Sequence, residues 1–112
     1  MAEREMRVAQ TEALFRDVNE RIAESAGRFE ARDAEFVCEC ADPACAERVP
    51  ATLDQYEEVR SDGTHFLLHA GHEVPEVERV VKSPHKRFVI VEKFNSAVAR
   101  TVRRLDPRAG AV

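Results

Sequence analysis

Large aromatic side chains are scarce in this chain of 112 residues: no tryptophan, one tyrosine and six phenylalanines. They bury the most apolar area per residue, so a core with few of them gains from an added staple, and a metal ion is one. No run approaches the roughly 20 apolar residues of a membrane-spanning helix. The opening segment, Met1 to Arg7, is charged and lacks the apolar stretch of a secretory signal. These two absences lead us to expect a cytoplasmic protein. There is no Gly-x-Ser-x-Gly, no phosphate loop and no dinucleotide fingerprint, so the expectation is a protein that is not an enzyme. Internal repeats and low-complexity segments are also missing, which leaves one domain. Cysteine is absent from the whole chain except one stretch of eight residues.

That stretch holds Cys38, Cys40 and Cys45. In a reducing compartment, crowded thiols of odd number read as metal ligands rather than as disulfides. Zinc takes four soft or borderline ligands in a tetrahedron. On one strand, Cys38 and Cys40 would point to the same face, and Asp42-Pro43 is turn chemistry that returns the chain to present Cys45. A fourth ligand must come from elsewhere. His72 is the first choice, because Gly71 permits a tight turn at a strand end, and His69 is the runner-up. Three buried thiols without a metal, a redox trio and an iron–sulfur ligand set are the competing readings. Against the redox trio, Glu39 and Asp42 would raise the thiol pKa values. Three thiolates donate heavily and make a poor Lewis acid. The Pro-Cys-x-x-Cys of zinc deaminases is absent, so a zinc enzyme ranks below a structural site.

The charge pattern and the periodicity of the chain imply an α+β fold: a small zinc-stapled antiparallel sheet with a short internal helix, after a long N-terminal amphipathic helix. Residues 3–25 form the first helix, ended by Ala26-Gly27. On it Val8, Thr11, Phe15, Val18, Ile22 and Ser25 recur at spacings of three and four, with Leu14 beside them. Strands are expected at 35–40, 47–51, 65–70, 77–81 and 88–91. A helix is expected over 53–60, started by a Thr52/Gln55 capping box, and another over 96–105 capped by Asn95. Residues 106–112 are expected to fray. The natural divisions are a helix over 1–26, a zinc-binding α+β unit over 27–94 and a basic helix and tail over 95–112.

Phe36-x-Cys38-Glu39-Cys40, then Cys45, Tyr56-Glu57-Glu58-Val59-Arg60, Phe66, Gly71-His72-Glu73 and Val91-Glu92-Lys93 together resemble a group of small uncharacterised actinobacterial proteins. Those proteins also carry a segment similar to Phe15–Ile22, and the resemblance covers roughly residues 12–93. It implies that Cys38, Cys40, Cys45 and His72 belong together, and that an alanine-like residue usually stands where this chain has His69. It implies no activity.

Net charge is −4, unevenly spread, and the stretch from Lys82 to Arg108 holds eight basic and two acidic residues. The function expected first is a zinc-binding interaction or regulatory module that docks a protein partner, or a second copy of itself, through Phe15, Val18 and Ile22. The alternative is nucleic-acid binding through Lys86, Arg87, Arg100, Arg103 and Arg104. Overall acidity and the lack of interleaved aromatics weigh against it.

Overall fold

Seating of the first helix organises everything around it. In the computed structural model, which describes residues 2–85 and 88–109, the chain runs α1 (Glu3–Arg28), β1 (Asp33–Val37), β2 (Arg48–Thr52), α2 (Leu53–Arg60), β3 (His65–His69), β4 (Glu78–His85), β5 (Phe88–Lys93) and α3 (Ser96–Arg104). This is the α+β arrangement expected, with the antiparallel strands divided between two sheets: β1-β2, and a three-stranded sheet in the order β3-β5-β4. Lys86 and Arg87 lie outside the described residues.

α1 continues through Gly27, three residues beyond the expected end. Its stop is a Schellman arrangement: Ala31 N–H donates to Ala26 C=O at 2.9 Å and Glu30 N–H to Gly27 C=O at 3.1 Å. The left-handed position is taken by Glu30, at φ 56°, so the glycine is spent inside the helix rather than at the cap.

The buried face of α1 also differs from the apolar stripe. Val8, Ala9, Glu12, Ala13, Arg16 and Asn19 face inward, while Thr11, Phe15, Val18 and Ile22 are half-buried. Ala9 and Ala13 let the helix approach closely, and each polar residue on that face has a dedicated partner. Glu12 pairs with the Lys93 ammonium, which also pairs with Glu78; all three side chains are fully buried. Arg16 donates to Gly63 C=O at 2.7 Å and to Val102 C=O at 2.6 Å. Its guanidinium lies 4.4 Å from the centre of the Phe66 ring, whose other cation is Lys93 at 4.7 Å. A stripe drawn on hydrophobicity alone misses such a face, because a charged side chain can be buried once a partner is placed beside it.

The strands pair as their alternation suggests. Phe36 opposes Val49, and Phe66, Leu67 and Leu68 oppose Val91, Ile90 and Val89. The Phe36 and Tyr56 rings stack at 4.6 Å between centres, and the Tyr56 hydroxyl donates to Glu20 at 2.7 Å. The Thr52/Gln55 capping box starts α2, and Asn95 caps α3 through Ala97 and Val98 N–H groups. Residues 106–109 are tied down rather than frayed. Arg60 bonds Asp106, and Arg108 reaches Glu20 at 2.6 Å and Glu57 at 2.8 Å.

Candidate metal centre

The β1–β2 ladder stops at Val37 opposite Arg48, so Cys38 and Cys40 stand on the loop beyond the strand, not within it as expected. The loop is nonetheless fixed. Cys38 N–H donates to Glu47 C=O at 3.1 Å, and Glu39 N–H crosses to Leu67 C=O of β3 at 2.8 Å. The chain thus leaves one sheet and joins the edge of the other within two residues. Asp42 makes the return: its carboxylate accepts from Ala44 N–H at 2.9 Å, and its carbonyl accepts from Cys45 N–H at 3.0 Å. That Asx turn is the Asp-Pro chemistry read from the sequence.

His72 arrives from the far side of β3. Gly71 adopts φ +90°, a conformation that side chains with a Cβ rarely take. His72 N–H then donates back to His69 C=O at 3.1 Å. The ring Nδ1 lies 3.5 Å from Cys38 Sγ and 3.6 Å from Cys45 Sγ. With Cys40, all four donor atoms fall within 4.8 Å of one another. A zinc ion with bonds of about 2.3 Å to sulfur and 2.05 Å to nitrogen, at tetrahedral angles, puts S···N at about 3.6 Å. The observed separations match that value, so the tetrad's geometry is compatible with a bound metal ion such as zinc. His69 is not in the set. Its ring centre lies 5.0 Å from that of His72, and its Nδ1 faces Ala70 C=O at 3.1 Å. Its backbone serves the site instead, donating N–H to Cys38 Sγ at 3.2 Å.

The thiols are electrostatically unequal. The hydrogen bond from Cys38 pushes Cys40 down to about 5. The same bond, with burial, pushes Cys38 up. Cys45 is raised by desolvation. Cys38 and Cys40 are 1% and 2% exposed, so two of the four ligands are closed off from solvent by protein. A cleft of about 540 Å³ opens beside the other edge, between Arg4 and Arg7 of α1 and the Cys40 and His72 side of the loop.

Two residues not expected among the site residues complete the centre. Glu39, between the first two ligands, is 0% exposed, and so is Asn19 of α1. Burial raises the Glu39 carboxyl to about 6, against the lowering effect of the bonds that it accepts. A polar residue between two closely spaced ligands was the available signal for Glu39. Nothing in the sequence singled out Asn19.

Of the other residues picked from the sequence, Phe15, Val18 and Ile22 stay half-buried on the outer side of α1, with Leu14 61% exposed beside them. Arg100, Arg103 and Arg104 are exposed on α3. Arg108, from the same basic stretch, is engaged by two carboxylates. Asp62, His65 and Glu92 also converge, with His65 Nε2 3.1 Å from one Glu92 oxygen and Arg79 paired with the other. No helix among the described residues is long and apolar enough to cross a membrane. No protein-family model, curated protein or solved structure matches the chain.

Proposed function

We propose that this chain is a zinc-binding interaction module whose metal is structural. The observation that carries the reading is the convergence of three cysteine sulfurs and one imidazole nitrogen, from two segments separated by β2, α2 and β3, at zinc-ligand spacing. Four protein ligands fill a tetrahedron and leave no position for a reactive water, which is the arrangement of structural sites. Elemental analysis of protein purified under reducing conditions is expected to give one zinc per chain, lost in Cys38→Ser and strongly reduced in His72→Ala. Protein so purified that contains no metal would refute the reading.

The interaction surface in this proposal is the outer stripe of α1, and its occupant is a second copy of the chain. Positions 11, 15, 18, 22 and 25 alternate spacings of four and three, the pattern of a seam that packs against a like seam. The fold leaves Phe15, Val18 and Ile22 partly buried along it, with Ile22 also packed against the core. Light scattering across a concentration series is expected to show a dimer that Val18→Asp converts to monomer with zinc retained. A wild-type monomer at every concentration refutes the dimer and leaves the zinc reading intact. The exposed Arg100, Arg103 and Arg104 favour nucleic-acid binding as the second reading. It requires a salt-dependent gel shift that neutralising those three residues abolishes.

A further inference from the structure

We infer that Asn19 and Glu39 are positioning residues for the metal ligands, and that through them the seating of α1 and the occupancy of the metal centre are one linked equilibrium. This rests on the metal reading above. The inference stands on a set of hydrogen bonds that do not involve the ligand atoms themselves. The Asn19 side-chain amide clamps the backbone just before the first ligand, accepting from Val37 N–H at 2.8 Å and donating to Val37 C=O at 2.9 Å. The same Nδ2 donates to Glu39 Oε2 at 2.8 Å. The other Glu39 oxygen accepts from Leu67 N–H of β3 at 2.9 Å. Glu39 N–H donates to Leu67 C=O at 2.8 Å.

The clamp therefore holds both flanks of Cys38. One side is fixed to α1 and the other to the strand whose end leads to His72. Every polar atom in it has a partner, in a site where Asn19 and Glu39 are fully buried and Val37 is partly buried. Such a network is worth keeping only when it is whole, because a buried polar group left unpaired costs more than a bond contributes. Displacing α1 strips Val37 N–H, Val37 C=O and one Glu39 oxygen of their partner together. Those groups would then seek water, and the path of the chain through Cys38 and Cys40 would no longer be set. Conversely, a metal that fixes Cys38 against His72 holds Val37 and Glu39 where Asn19 can reach them. By reciprocity of coupling, whatever α1 contributes to metal affinity the metal returns to α1. Groups that orient ligands from behind in this way typically change metal affinity by 10–100-fold when removed.

Cobalt substitution tests this on the full chain, because thiolate-to-cobalt charge-transfer and d–d bands report ligand geometry directly. Asn19→Ala and Glu39→Gln are each expected to alter the d–d envelope at saturating cobalt and to speed metal loss to a chelator by at least 10-fold. Val98→Ala, a cavity under α3 outside the clamp, is the control for general destabilisation and is expected to leave both readouts unchanged. The pair Asn19→Asp with Glu39→Gln restores two of the three Asn19 bonds: the new carboxylate accepts from Val37 N–H and from the new amide. It is expected to recover part of the wild-type spectrum. Clamp variants that match the control in spectrum and within threefold in metal loss would overturn the inference while leaving the metal centre standing. A wild-type chain that develops no thiolate–cobalt bands would overturn the metal reading itself.

Discussion

Replacing Glu12 by Gln should change how stability depends on pH, because of where Glu12 sits. Its carboxyl is fully buried beside the Lys93 ammonium and the Glu78 carboxylate. Burial raises its pKa well above the ordinary range; Lys93 lowers it and Glu78 raises it again. A raised folded-state pKa means that the folded chain keeps a proton that the unfolded chain releases. The stabilisation is complete below the unfolded pKa near 4.5. Above that it falls by about 1.4 kcal/mol per pH unit, until the folded group also ionises. Glutamine copies the protonated form: its carbonyl oxygen can accept from Lys93 and its amide can donate to Glu78. Chemical denaturation of metal-saturated wild type and Glu12→Gln should therefore give similar stability near pH 5. Between pH 5 and 8 the variant should gain on the wild type by up to about 1.4 kcal/mol per unit. Metal linkage is common to both chains and cancels in the difference. A difference that stays constant across this range would show that Glu12 titrates normally in the fold, and the account of the α1 seat would be wrong.

Lys93→Met removes the cation that pairs with both buried carboxyls and is expected to cost about 3–5 kcal/mol in denaturant unfolding at about pH 5, where Glu12→Gln has a small effect. Gly71→Ala meets no atom within 4 Å, so its cost comes only from the +90° φ. We expect about 1–3 kcal/mol in denaturant unfolding and weaker zinc retention in a chelator competition, because the turn that delivers His72 is displaced. Thr52→Ala breaks the capping box of α2 and is expected to lower stability by about 1 kcal/mol, with zinc retained at full stoichiometry by elemental analysis.

Much of this architecture could be read from local chemistry. The capping box at Thr52, the Asn95 cap and the Asp42-Pro43 return are signals confined to three or four residues, and each appears where its residues stand. The tetrad of three cysteines and His72 was legible because thiols this crowded have few other uses and because Gly71 marks the turn before His72. Long-range pairing was not legible. The expected strand at 35–40 begins two residues late and ends three residues late, because Phe36, Val37 and Cys38 form an apolar run, whereas the ladder ends where the loop turns toward β3. The inward face of α1 was misjudged because Glu12, Arg16 and Asn19 look like solvent-facing residues until Lys93, the Val102 carbonyl and Glu39 are placed beside them. Those partners lie 20 to 86 residues away in sequence for Asn19 and Arg16, beyond the reach of any periodicity argument. The tail was expected to fray for the same reason: Arg108 is held by Glu20 and Glu57, from two different helices.

The buried polar seat of α1 bears on what a metal would add to this fold. Glu12, Arg16, Glu39, Arg60, Glu78 and Lys93 are all buried. Buried ion pairs fix one arrangement over others but add little net stability, since desolvation offsets most of their attraction. The apolar core has five fully buried aromatic or leucine side chains besides Tyr56, a small reserve to set against ordering a chain of this length. Zinc bound at a site of this kind contributes on the order of 10–16 kcal/mol at neutral pH in small metal domains, and that energy enters as folding energy. A fold that places six ionisable side chains inside would therefore gain more from such a term than one with an alkyl core. A metal held by the tetrad would suit that need: it would join the loop after β1 to the turn after β3, across the boundary between the two sheets, where the backbone ladder is interrupted. Removing zinc with a strong chelator should thus loosen the join between the sheets before the β3-β5-β4 ladder opens. Amides of residues 36–40 and of the Asn19 turn should exchange early, and those of Ile90 and Val91 late. Loss of protection in the reverse order would place the weak point of the fold in the three-stranded sheet and not at the metal join.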